Sequence, residues 1–313
     1  SGDAMLTSSR GAERAAHVLG YVTMALGTVI LGAQWWRRRL REAEKAIETT
    51  PETGRLVVAT RVHEQNAARP FDVAKLEAFY HAVAKDPTVD GVAVAVGCGG
   101  DHGNRLLERV KDLAAQISTP GLPLHIIPVQ PWGKFVPGLN ALVQEALSQG
   151  FDHILFQSVE MSVPPASLAA LRSHFTANDI VVGAALPGHE FFPGRRPVDG
   201  RSCPWNTLAL WHVKTLALTG FLGVAEGTCL PSREDAGVEE VTCLSLLQHL
   251  PTASRRTGAK LVRVPGIAWE TVFQDPERQA WHERKMKSKV ARPETQLRAV
   301  GVDRGRVAHI VHA

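Results

Sequence analysis

The chain has few cysteines, and none of them pair by spacing. Cys98, Cys203, Cys229 and Cys243 are its four, far apart and without a C-x-x-C arrangement. That excludes a disulfide framework and a zinc cage, and it fits reduced thiols in a cytosol-facing protein. Aromatic residues are sparse at 6%, and no RNA-binding aromatic signature or zinc-finger spacing occurs. Charge of one sign is scarce too: 35 Lys and Arg face 31 Asp and Glu, a formal +4 gathered near the two ends. So mild a surplus favours anionic partners in general and does not point to nucleic acid. There is no internal repeat and no low-complexity tract. What remains is ordinary globular composition, 313 residues with 44% hydrophobic, enough for one large domain or two small ones.

One long apolar stretch stands out. Residues 15–36, AAHVLGYVTMALGTVILGAQWW, carry no formal charge and lie between Arg14 and Arg37-Arg38-Arg39. About 20 apolar residues cross a bilayer, so the length just suffices. Trp35-Trp36 suit an interface, and the arginines suit its cytoplasmic side. Two readings stay open. The stretch is a membrane-associated helix that leaves the rest of the chain cytoplasmic, or it is a packing helix through which the chain forms a homo-oligomer. Residues 1–14 read as tag and leader, 15–50 as this apolar and then charged helix, 51–274 as one α/β domain, and 275–313 as a basic, partly helical tail.

From residue 55 onward apolar runs alternate with helical patterns. Strands are expected at 55–60, 91–96, 124–129, 153–156, 180–186 and 260–264, with helices between them. Such alternation specifies a mostly parallel central sheet flanked by helices. NTLALWHV, 206–213, reads as an antiparallel strand, and 187–204 as a long loop. The pivotal run is FDHILFQSVEMSV, 151–163: a buried strand that ends in Gln157-Ser158 with an acid at Glu160. In an open α/β sheet, ligands bind at the carboxyl ends of such strands.

In order, these features resemble the GT-A nucleotide-sugar glycosyltransferases, most nearly family 2, from about Arg55 to Phe273. The resemblance rests on a first strand ending near Glu64 in VATRVHE, a segment Gly133 to Asn140 that includes Lys134, Ser158-Val159-Glu160 in the place of D-x-D, and Glu239-Glu240 opening a later helix. The sequence departs from the family where Ser158 replaces the first acid of D-x-D and where Gly97-Cys98 replaces the acid after the second strand. Q-x-x-R-W is absent, which leaves the nonprocessive members nearest.

The resemblance implies an inverting transferase with a nucleoside diphosphate sugar as donor and a carbohydrate or lipid-linked acceptor. Glu240 would be the general base, kept ionised by its helix N-terminus. Glu160 would hold Mn2+ or Mg2+, or basic side chains would neutralise the diphosphate without a metal. Arg284, Lys285, Lys287, Lys289 and Arg292 are candidates for that, or else they lie on a solvated face. Asp101, in GCGGDHG, holds the nucleoside or caps its helix. Arg201 and Trp205, in a loop that mixes cations with an aromatic, suit a sugar or an anionic-lipid acceptor. Trp132, Trp211 and Trp269, with His125, His153, His212 and His249, read as structural. Two rivals are a sugar nucleotidyltransferase, whose Gly-rich signature is missing after the first strand, and a non-catalytic binding module on the same fold.

Overall fold

The computed structural model describes residues 51–64, 70–227, 229–250, 256–269, 277, 280 and 288–312. The apolar helix expected at 15–36 and the cations Arg284, Lys285 and Lys287 lie outside the described residues. Among the described residues, no helix is long and apolar enough to cross a membrane.

Pro51 to Ala313 forms one unit around a nine-stranded sheet. The strands are β1 (Leu56–Val62), β2 (Gly91–Gly97), β3 (Leu124–Val129), β4 (His153–Gln157), β6 (Asp179–Ala184), β7 (Gly194–Pro197), β8 (Leu208–His212), β9 (Gly258–Arg263) and β11 (Arg306–Val311). Two short strands, β5 (Met161–Ser162) and β10 (Ala268–Trp269), pair separately. The helices are α1 (Val73–Val83), α2 (Gly100–Ile117), α3 (Val136–Ser148), α4 (Pro165–Ser173), α5 (Val213–Leu216), α6 (Glu239–His249) and α7 (Ala291–Val300).

The sheet order is β3-β2-β1-β4-β8-β6-β9-β11-β7. Only β8 and β7 run antiparallel to their neighbours. Every residue of β2, β4 and β6 is buried. Their near-continuous apolar runs are what a sheet covered on both faces demands. β3, at the sheet's margin, is only partly buried. The α/β sheet flanked by helices is therefore as the sequence implies, including the antiparallel strand, which is β8.

Two features differ from expectation. The loop expected at 187–204 contains β7, and the tail expected to begin at 275 supplies α7 and β11, which completes the sheet between β9 and β7. GRRP carries no apolar alternation; it is a strand because β11 offers it a backbone ladder. The domain therefore does not end at 274.

Candidate functional site

A cavity of about 200 Å3 opens at the carboxyl edge of the parallel strands. Its floor is the end of β1 (Ala59 to Arg61) and the end of β4 (Phe156 to Ser158). The antiparallel direction of β8 brings Trp205, Asn206 and Thr207, just before that strand, to the same edge. Ser158 N–H donates to the Thr207 carbonyl at 3.0 Å, which fixes the two together. Gly237 to Glu240, at the start of α6, closes one side, and Lys289 and Arg292 line the cavity from the C-terminal segment.

The acid pair is its dominant feature. Glu239 and Glu240 are only 4% and 6% exposed. Glu240 Oε1 accepts from the Asn206 backbone N–H at 2.7 Å. Burial, and secondly the neighbouring Glu239 charge, push the Glu240 carboxyl up to about 7. The helix N-terminus was expected to keep it ionised. It does not prevail, because a dipole worth at most about 2 kcal/mol is outweighed by removing a carboxylate from water and setting another beside it.

The turn that delivers the pair is strained. Val238 caps α6 at φ 60° and ψ 41°, a left-handed conformation for a β-branched residue. Such a conformation costs about 1–3 kcal/mol, so neighbours must hold it. Gln296 Nε2 donates to the Asp235 and Gly237 carbonyls at 2.7 and 2.8 Å. Arg292 Nη1 donates to the Ala236 carbonyl at 2.8 Å. Helix α7 thus clamps the acid-bearing turn while presenting a cation to it.

Among the described residues, three cations share the cavity: Arg61, Lys289 and Arg292. Arg61 also donates to the Phe135 carbonyl at 2.8 Å. Lys289 Nζ stands 3.0 Å above the Trp205 ring. His189 stacks against Trp205 with a centroid separation of 3.6 Å. Burial, then the Lys289 charge, lower the His189 pKa to about 3, so this support is neutral.

Of the residues expected to form a site, the structure gathers Ser158, Trp205, Glu239, Glu240, Lys289 and Arg292 at one cavity. It separates the others. Glu160 is exposed and lies outside the cavity lining. The turn that carries Met161 N–H back to the Ser158 carbonyl, at 3.0 Å, faces Ser158 to the cavity but not Glu160. Among the described residues, no three His, Cys, Asp or Glu side chains converge as a metal set.

Glu64 is turned to structure, accepting from Phe71 N–H at 2.9 Å and pairing with Arg109 at 2.8 Å. Asn140 grips the Phe221 backbone through both ends of its amide, at 2.9 and 2.8 Å. Lys134 is exposed, with Nζ on the Arg233 carbonyl at 2.9 Å. Arg201 pairs with Glu190 at 2.8 Å. Asp101 is exposed in the first turn of α2, where Gly99 rather than an acid holds the cap position.

Sequence reasoning gave Arg61 no role, and Glu226 went unnoticed. Glu226 spans the start of α3, accepting from Lys134 and Phe135 N–H at 2.6 Å each and from Val136 N–H. No local pattern announces it, because the acid and the helix it caps lie about 90 residues apart.

No protein-family model matches the chain, and no curated protein matches it by sequence. Solved structures that match include that of a 4-diphosphocytidyl-2C-methyl-D-erythritol synthase. The identity is 15% and the TM-score 0.32, over 57% of this chain and 82% of that one. A likeness at that level says nothing about activity.

Proposed function

We propose that this protein is a transferase that moves a sugar from a nucleoside diphosphate donor to an acceptor hydroxyl with inversion. The observation that carries the reading is Glu240: a buried carboxyl held near 7, at the carboxyl edge of a parallel sheet, beside three cations. A general base works best with its pKa near the working pH. In the step, Glu240 takes the acceptor proton while the acceptor oxygen bonds to the anomeric carbon. The bond from that carbon to the diphosphate oxygen breaks, and the diphosphate leaves with its electron pair. Arg61, Lys289 and Arg292 are the groups available to stabilise that developing charge.

A volume of about 200 Å3 is below the roughly 300–1,000 Å3 of pockets that swallow a whole ligand. The enclosed part therefore suits one sugar unit, with the nucleotide outside it. A screen of nucleoside diphosphate sugars for transfer and hydrolysis, with added Mn2+ or with EDTA, tests the reading. Turnover that survives EDTA and falls by about 100-fold or more in Glu240→Gln supports it. Loss of all turnover with EDTA would overturn the cation-based part.

A non-catalytic binding module is the second reading, favoured by the position of Glu160 outside the cavity. Stabilisation by nucleoside diphosphates without turnover of any donor would select it.

A further inference from the structure

Asn206 meets both acids of the pair and a third group behind them. Its backbone N–H donates to Glu240 Oε1 at 2.7 Å. Its side-chain Nδ2 donates to Glu239 Oε1 at 3.4 Å. Its Oδ1 accepts from the indole N–H of Trp211 at 3.0 Å. Trp211 is fully buried in β8, and an indole nitrogen only donates. The amide oxygen must therefore face Trp211, which leaves the amide NH2 facing Glu239. The opposite orientation would set two donors against each other and an oxygen against a carboxylate.

We infer that Asn206 is a positioning residue: with its amide sense locked by Trp211, it gives each acid a separate donor and prevents Glu239 from turning to share a proton directly with Glu240. This deepens the proposed role of Glu240 and rests on that reading only for its catalytic meaning. The separation matters because two adjacent carboxylates otherwise bind one proton between them, which raises the proton affinity of the pair. Among the described residues, the other charged and titratable groups at the pair include Arg61 from β1, Lys289 and Arg292 from the C-terminal segment, and two thiols. Those thiols, Cys203 and Cys243, are pushed up by burial and stay neutral.

Two variants isolate the amide. Asn206→Asp keeps the backbone bond and the oxygen that Trp211 needs, and replaces only the donor toward Glu239 with an oxygen. Asn206→Ala removes the amide altogether. The readout is the titration of the Glu240 carboxyl by 13C NMR in glutamate-labelled full chain, assigned by its disappearance in Glu240→Gln. Asn206→Asp is expected to raise the Glu240 midpoint by about one pH unit or more through the added negative charge, and Asn206→Ala to raise it by less. A midpoint that is unchanged or lower in both folded variants overturns the inference. If Asn206→Asp fails to fold, Asn206→Ala decides it in the same way. Because the titration needs no substrate, a missing transferase activity would sink the proposed function and leave this assignment standing.

Discussion

The two edges of the sheet bury charge in opposite ways. At the amino edge, Glu52 pairs with Arg256 at 2.7 Å, with His153 at 3.7 Å. Asp179, at the start of β6, pairs with Lys260 at 2.6 Å. Burial works against ionising Glu52, but His153 and Arg256 outweigh it and hold the carboxyl down at about 2. At the carboxyl edge, Glu240 has a like charge as its close neighbour, and the same residue type is pushed up to about 7. One edge sets its acids against cations and holds segments together. The other leaves an acid in conflict with its surroundings, which is the usual mark of a site that handles protons.

The largest expected effect falls on the edge where acids meet cations. Arg256 donates to the Thr176 and Asp179 carbonyls, at 3.2 and 3.1 Å, as well as to Glu52. Arg256→Ala leaves those acceptors and a carboxylate without their cation and should cost about 3 kcal/mol or more in urea unfolding. Turnover per folded molecule should be unchanged. If Arg256→Ala abolished turnover at full stability, the division between the edges would be wrong.

At the other edge the sign reverses. Glu240→Gln keeps an acceptor for the Asn206 N–H and removes a like charge. It should raise stability at pH 8 by about 1 kcal/mol or more, even as turnover is lost. A destabilised Glu240→Gln would show that the pair serves the fold.

The pH dependence of stability separates the edges further. The folded-state pKa of Glu52 lies below its ordinary 4.5, so its contribution is present above 4.5 and is lost as pH falls toward 2. His212 is lowered to about 4, first by burial and then by Arg256. The unfolded chain therefore binds its proton more readily between pH 6.5 and 4, and stability falls with acidification there too. Glu240 is raised, so it costs stability as pH climbs from 4.5 toward 7. Thermal unfolding across pH 3 to 9 should show a maximum that Glu240→Gln flattens on its alkaline side only. An unchanged alkaline limb in that variant would contradict the assignment.

The smallest effect is at Val238. Val238→Gly relieves the left-handed strain but deletes a core side chain that is only 7% exposed and adds unfolded-state entropy. The terms largely cancel, and a net loss of about 1 kcal/mol or less is expected. Calorimetry checks the sign, and a loss of turnover in the same variant would show that the strain aims the acids.

The central parallel strands were legible because they are apolar along most of their length, as GVAVAV and HILF are; β11, which pairs parallel with β9, was not. The acid pair was legible from its place after Gly237 at a helix start. What failed to show in the sequence depends on distant partners. β7 exists only because β11 pairs with it. Glu160 sits three residues past the end of β4, and the turn at Ser158 decides which side chain faces the cavity, which a linear spacing does not reveal. Burial sets the Glu240 proton affinity, and it comes from α7 and the turn before β8, far apart in the chain. Arg61 lies in a strand that otherwise reads as filler between apolar residues.

Glu226 has a consequence for what the cavity can accept. The start of a helix ordinarily attracts phosphate through its exposed N–H groups. At α3 those groups already face a carboxylate supplied by the protein itself. The chain carries a resident imitation of a bound anion at that corner. A diphosphate arriving at this edge would find the backbone donors engaged and would have to rely on arginine and lysine side chains instead.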